Sequence, residues 1–425
     1  MLWDGELKGF GIRAFPSGTK KFIVQYRTRA GRQRRMTLGS YGPLTVERAR
    51  ELAKSHLGKV AEGDDPAGER RSYREALSVA ELCDLYIEAA ESGLILGRKG
   101  SAKKASTIYI DRGRIERHIK PLLGAQKVQD IRQPDIEGFK NAVALGKTAA
   151  DIRTRRQGRA IVRGGRGTAT RTLGLLGSIF QWAVAHGHAN SNPVRGVRRF
   201  ADRQRKALLT AEQYRLLGAA IDELEAKRNS AGQPVHHLYG LACIRFIALT
   251  GLRRSEAVNL RWSEVDTKRN VLALGDTKTG ESVRPLATPA IAMLDGLERI
   301  SDHVFASYPD GPPYSALPRL WGLVVRTAEK LASDADGDLP VIALSGITLH
   351  SLRHSFAGTA EELGGSLPTI AALLGHRLSG VTAGYVLKRV DGPLLAFADK
   401  VGRHIAAAMS KQNADRNVVR FPRQR

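Results

Sequence analysis

Sulfur is scarce in this chain, with two cysteines in 425 residues, and acidic side chains are few beside basic ones, 42 against 67. Cys83 and Cys243 fall in separate amphipathic segments and read as reduced, buried thiols. With no Cys/His cluster, a structural zinc is not expected. Long apolar runs are missing too. None approaches the ~20 residues that cross a bilayer, and the opening Met1-Leu2-Trp3-Asp4 has no signal-peptide pattern. These absences exclude a secreted disulfide scaffold and a helical membrane protein, and they point to the cytoplasm.

What the chain has instead is positive charge. Its formal net charge is +25 and its pI near 10.4. Such an excess repels itself in the folded state and calls for a polyanionic partner, nucleic acid rather than a membrane surface. A hydrophobic fraction of 42% is enough to bury real cores, and the length suggests two to four domains.

Polar and apolar residues alternate over Gly9–Phe15, Lys21–Thr28 and Gln33–Gly39, with turn chemistry at Pro16–Thr19 and Arg29–Arg32. The pattern predicts a three-stranded antiparallel sheet. Thr45 then caps a helix whose Val46, Ala49, Leu52, Ala53 and Leu57 share a face, and Gly63–Pro66 ends the unit. Residues 1–60 hold 13 Lys/Arg against 4 Asp/Glu. A small basic sheet can enter a DNA major groove, which makes Arg27, Arg32, Arg34 and Arg35 candidate DNA contacts. The bland alternative is a solvated charged face.

Residues 78–195 read as a helical bundle, with helices from Ser78, around Thr107–Ile119 and Gln133–Leu145, and over Ala169–His186. Residues 153–171 read as a basic, Gly-rich loop, with Arg155, Arg163 and Arg166 placed to meet a phosphate backbone. Residues 206–408 alternate apolar helices with one β-hairpin, Asn270–Gly275 and Glu281–Ala287, and carry Lys278 at its tip. Residues 409–425 are polar, basic and aperiodic, and are expected to be disordered. The expected fold is multidomain and mainly α, with small β elements.

The third segment also holds groups suited to phosphoryl transfer. Gly251 permits a sharp turn that can project Arg253 into a cleft, with Glu256 at i+3 able to hold its guanidinium. His350 and Arg353 are three residues apart on one helical face. Leu374-Gly375-His376 ends another helix, and Tyr385 follows nine residues later. Two arginine forks match the equatorial oxygens of a phosphorane. With no paired carboxylates to hold two metals, the arginines would supply the positive charge, and no cofactor is called for. Nearby cations favour a phenolate over a phenol whose free pKa is about 10. Lys278 or a histidine can protonate a departing 5′-oxygen. Each residue alone has an ordinary explanation in packing or a surface ion pair.

Taken in order, Arg253, Lys278, His350-x-x-Arg353, Leu374-Gly375-His376 and Tyr385 resemble the signature of the tyrosine recombinases, the phage-type integrase family. The resemblance covers nearly the whole chain: Trp3–Pro66 is similar to an arm-type DNA-binding domain, 78–195 to the core-binding domain, and Ala207–Ala398 to the catalytic domain. It implies that Arg253 and Arg353 bind the scissile phosphate and that Lys278 protonates the leaving 5′-hydroxyl. His350 would act as general acid/base, His376 would bond the phosphate or its neighbours, and Glu256 would support Arg253. Tyr385 would form a 3′-phosphotyrosyl link, so strands reseal without ATP or metal.

The resemblance further implies core-type and arm-type duplex sites, a tetramer on paired DNA, and work in the bacterial cytoplasm on a mobile element such as a prophage. A DNA-bending host factor and a directionality factor are implied as helpers. Four departures stand out. The chain opens on what looks like the middle of an arm-binding domain, so that unit is expected to be truncated. Arg254 replaces a commonly apolar residue and becomes a further DNA-contact candidate. Gly380 and Gly384 loosen the segment before Tyr385, while His354 has no assigned role. Competing readings are a chromosome or plasmid dimer resolvase, a type IB topoisomerase, and an inactive integrase-derived repressor or architectural protein. The basic N-terminal unit weighs against the first two and the full catalytic set against the third.

Overall fold

The structure, a computed structural model, describes residues 1–410 apart from 98–99, 156–157, 202–207, 276–279, 336–343 and 377–389. The chain forms two compact units, residues 1–203 and 204–425. Small sheets accompany a mainly helical chain, as expected from the pattern. Among the described residues, no helix is long and apolar enough to cross a membrane.

The first unit opens with an antiparallel sheet in the order β1 (Leu2–Trp3), β2 (Phe10–Ala14), β3 (Lys20–Arg27) and β4 (Gln33–Ser40). The three expected strands are present, and a two-residue strand extends them at one edge. Phe10, Phe22, Val24 and Met36 face Ala49 and Ala53 of α1 (Val46–Glu62) to make a small core. Thr45 caps α1 as its sequence suggests, accepting from the Arg48 backbone N–H.

Pro66 opens a further helix, α2 (Pro66–Glu75), capped by Asp65. That carboxylate also accepts from the Tyr26 hydroxyl at 2.7 Å and from Arg34 Nε at 3.1 Å, tying α2 to the sheet. Arg34 lies in phase with Met36 on the inward face, so it braces the fold, whereas Arg27, Arg32 and Arg35 are exposed.

The second core of this unit is helical. It gathers α3 (Val79–Glu91), α4 (Ala105–Arg114), α5 (Lys120–Leu123), α6 (Gln133–Ala144) and α7 (Arg166–Ala185) around Leu82, Tyr86, Ile119, Phe139, Leu176 and Phe180. Ser78 and Glu81 form a capping box at the start of α3. Residues 153–171, expected as a basic loop, instead contribute to a two-stranded ribbon, β5 (Ala150–Arg155) and β6 (Gly158–Val162), with Arg153 opposite Arg159, and from Arg166 onward belong to α7. Ala150 and Ile152 alternate with Asp151 and Arg153 in β5, a period-2 signal, whereas in β6 the apolar Ile161 between Ala160 and Val162 breaks the alternation.

The second unit is built on α9 (Leu238–Thr250), which is apolar and buried over most of its surface, with Arg245 as its one charged residue, paired with Asp222 and Glu225. Around it pack α8 (Ala211–Ala226), the short α10 (Arg254–Val258), α11 (Thr288–Asp295), α12 (Leu317–Ala335), α13 (Leu349–Glu362), α14 (Leu367–Leu374) and α15 (Gly392–Met409). The expected hairpin is present as β8 (Val271–Leu274) and β9 (Ser282–Pro285), with β7 (Val265–Asp266) as a third strand.

Candidate active site

The site grows from the end of α9. Its cap, Gly251, has φ +62°, and a Cβ there would come within 2.6 Å of the Phe356 ring. Glycine satisfies both constraints and lets the chain turn at once into α10. Arg253 stands at the head of α10. Glu256 accepts the Arg253 backbone N–H at 3.0 Å and the Arg253 guanidinium at 2.5 Å, while itself buried. The i+3 bracing expected from the sequence is present, and it fixes which way the fork points.

Helix α13 begins with a reciprocal cap between Thr348 and Ser351. That cap sets His350 in the exposed first turn and Arg353 one turn on, 3% exposed. Arg353 donates from Nη1 to the Gly251 carbonyl at 2.6 Å. Its Nη2 reaches the Leu374 carbonyl at 2.8 Å and His376 Nε2 at 2.9 Å. Burial, with Arg253 and Arg284 nearby, lowers its pKa to about 9, so it keeps its charge at neutral pH.

Helix α14 stops at Gly375, whose φ of +58° turns the chain so that His376 meets Arg353. A guanidinium has only donors, so Nε2 of His376 carries the lone pair and the proton sits on Nδ1. Partial burial, then Arg353, Arg253 and Arg284, hold the imidazole pKa below its ordinary 6.5, against the pull of Glu256. The folded value lies below the unfolded one, so the neutral ring's contribution is intact above pH 6.5 and weakens as pH falls toward the lowered value. In a proton NMR titration the midpoint of His376 is expected below 6.5. A midpoint at or above that value would contradict the neutral-acceptor geometry.

The structure therefore brings Arg253, Glu256, Arg353 and His376 to one place. His350 and Arg254 border the same shallow cleft as Arg253, together with Ser255 and Trp321. His354 lies one turn beyond His350, with ring centroids 4.7 Å apart. Lys278 and Tyr385 lie outside the described residues, as does the side chain of Arg155. Arg163 is exposed beside Arg112, Arg114 and Arg117, and Arg166 lies 5.6 Å from the Phe200 ring centre.

Sequence reasoning missed Arg284. It is 2% exposed and bonds Ser282 Oγ from Nε at 2.8 Å and the Leu374 carbonyl from Nη1. No sequence signal marks it: alternation would turn Val283 inward and Arg284 to solvent, whereas Val283 is exposed and Arg284 buried.

Three family descriptions match the chain in succession: the arm DNA-binding domain over residues 1–73, the phage integrase central domain over 96–199, and the phage integrase family over 208–390. The chain belongs to the phage integrase family, the tyrosine recombinases. Among its relatives, prophage integrase IntF of Escherichia coli (strain K12) is 25% identical across 97% of this chain and 89% of its own length. Tyrosine recombinase XerD of Mycobacterium leprae (strain TN) is 26% identical over 70% of this chain and 90% of its own length.

The fold is similar to that of a lambda integrase dimer bound to a COC′ core site. The TM-score is 0.53 at 20% identity, covering 92% of this chain and 99% of that one. A lambda integrase tetramer bound to a Holliday junction gives 0.53 at 19% identity, covering 91% and 99%. At these identities the likeness speaks for the fold.

Proposed function

We propose that the protein is a site-specific DNA integrase that cuts and rejoins duplex DNA through a 3′-phosphotyrosyl intermediate. The observation that carries this reading is the buried Arg353, locked by three acceptors beside Arg253 and a neutral His376. Burying a guanidinium is costly unless its charge is used. Two forks fixed before substrate arrives suit the equatorial oxygens of an in-line phosphoryl transfer.

In this mechanism Tyr385 attacks the phosphorus, Arg253 and Arg353 hold the non-bridging oxygens, and His376 donates from Nδ1. Lys278 protonates the leaving 5′-oxygen, with His350 exchanging protons with the nucleophile. The bond energy stays in the phosphotyrosine, so the second strand's 5′-hydroxyl can reverse the step. Neither metal nor ATP is required. Assembly as a tetramer on paired sites, in the bacterial cytoplasm, belongs to the same reading.

A nicked suicide duplex carrying the native core site should trap a covalent protein–DNA adduct in EDTA. Failure to trap one on DNA that the protein binds specifically would sink the reading and favour a DNA-binding repressor.

The arm-domain match over residues 1–73 favours integration or excision of a mobile element over dimer resolution. Exposed Arg27, Arg32 and Arg35 are the arm contacts in this reading, with Arg163, Arg166 and Arg254 meeting the core site. Replacing Arg32 and Arg35 by Gln should weaken arm-site binding and flatten its log–log salt slope by about 0.9 per lost phosphate contact. Core-site cleavage should stay largely intact. Arg34→Gln should instead loosen α2, because its partner is Asp65. An unchanged slope in the Arg32/Arg35 variant would remove this strand from the DNA interface.

A further inference from the structure

We propose that Arg284 is a positioning residue of the cleavage site, a buried cation that locks the hairpin strand to both halves of the phosphate-binding cluster. The inference rests on the integrase reading and adds a residue to it. Arg284 sits on β9, which follows Lys278 by only a few residues in sequence. Its guanidinium reaches in two directions. Nη1 donates to the Leu374 carbonyl, the acceptor that Arg353 Nη2 also uses. Nη2 lies 3.6 Å from Glu256 Oε1, the oxygen that holds Arg253, and has no hydrogen-bond partner among the described residues. Strand, arginine brace and histidine turn thus meet at one side chain.

Close packing makes the tie specific. A Cβ on Gly375 would fall 2.1 Å from Arg284 Cζ, so the guanidinium lies flat against the glycine that aims His376. The arrangement needs glycine at 375 for space as well as for its positive φ.

Charge gives the tie a second effect. Arg253, Arg284 and Arg353 face one carboxylate, Glu256, which leaves a formal excess of two positive charges around a neutral His376. A phosphodiester carries one negative charge and the phosphorane two, so that excess complements the transition state better than the bound substrate. Without Arg284 the excess falls to one. Its loss should therefore slow cleavage far more than it weakens binding.

The test compares full-length wild type with Arg284→Lys, which keeps the charge but cannot span both partners, and Arg284→Gln, which is neutral. On the suicide duplex at saturating protein, adduct formation should slow about tenfold in Arg284→Lys and about a hundredfold or more in Arg284→Gln. Non-covalent core-site affinity should stay within about threefold of wild type in both. In the DNA-free protein, the NMR titration midpoint of His376 should rise in Arg284→Gln, which loses an opposing cation, and hold in Arg284→Lys.

Wild-type rates in Arg284→Lys and Arg284→Gln overturn the proposal. So does equal impairment of the two with an unmoved His376 midpoint, since that describes a merely structural residue. Should Arg284→Gln not fold, Arg284→Lys carries the test: slower cleavage at unchanged affinity supports it, and a wild-type rate overturns it. Should wild type form no adduct, the integrase reading fails. The His376 titration then decides the tie by itself, a raised midpoint in Arg284→Gln supporting it and an unmoved one overturning it.

Discussion

Replacing Tyr385 by Phe should leave no covalent protein–DNA adduct at all, while core-site binding changes little. A phenyl ring preserves the shape of the side chain and removes the one atom that would bond to phosphorus in the proposed mechanism. Phenol is a weak nucleophile at neutral pH, because with a pKa near 10 only about a thousandth of it is ionised at pH 7. In the proposed mechanism the clustered charges of Arg253, Arg284 and Arg353 would favour the phenolate of Tyr385 beside the phosphate. They also neutralise the charge that develops on the non-bridging oxygens. Water could still enter and hydrolyse the strand slowly in the variant, but the product would be a nick with no protein attached. Denaturing electrophoresis of an end-labelled suicide duplex separates the two outcomes. A labelled band at the protein's mass in Tyr385→Phe would move the nucleophile to another residue and leave the rest of the site in question.

How far the site could be read in advance depended on whether its contacts are local. Arg253 with Glu256, and His350 with Arg353, are i,i+3 pairs, so helical periodicity alone places each pair on one face. The caps at Thr45 and Ser78 and the turns at Gly251 and Gly375 are equally local, and residue chemistry announces them. Long-range partners carry no such signal. Sequence alone groups Arg34 with its neighbours as a DNA contact, because nothing in its surroundings points to Asp65, 31 residues on. Carried through strictly, the alternation that buries Met36 also turns Arg34 inward.

Pro66 reads as a stop after Gly63, yet behind Asp65 it is a good first helical residue. Arg284 was the hardest case. A valine in water followed by an arginine in the core inverts the usual pattern, and its partners Leu374 and Glu256 are distant in sequence. The expected order of site residue types rests on a resemblance that is itself one of order, and two of its members, Lys278 and Tyr385, lie outside the described residues. How Leu374's carbonyl comes to serve two arginines was not legible.

Replacing Arg353 should have the second-largest effect, and the choice of substitute separates charge from shape. Arg353→Met leaves the Gly251 and Leu374 carbonyls and His376 Nε2 without the guanidinium that binds them. Each buried acceptor left unpaired costs about 1–3 kcal/mol. Relief of repulsion with Arg253 and Arg284, and of the buried charge itself, offsets part of that, so a net loss of roughly 2 kcal/mol in the second unit's stability is expected. Leu374 keeps its bond from Arg284, which limits the damage to the turn.

Cleavage should fall much further, by about a thousandfold or more, because a preorganised charged donor aimed at a developing oxyanion is worth ~10²–10³ on its own and His376 loses its anchor with it. Arg353→Lys is the sharper test. An ammonium keeps a charge but is a compact point donor that cannot reach two carbonyls, an imidazole and a phosphate together. Its expected deficit is at least a hundredfold, at near wild-type stability. Burst measurements of adduct formation, read against thermal unfolding of the same preparations, distinguish the two losses. A lysine variant cleaving within about tenfold of wild type would show that a point charge suffices there. The fork geometry around Gly251, Leu374 and His376 would then serve the fold rather than the chemistry.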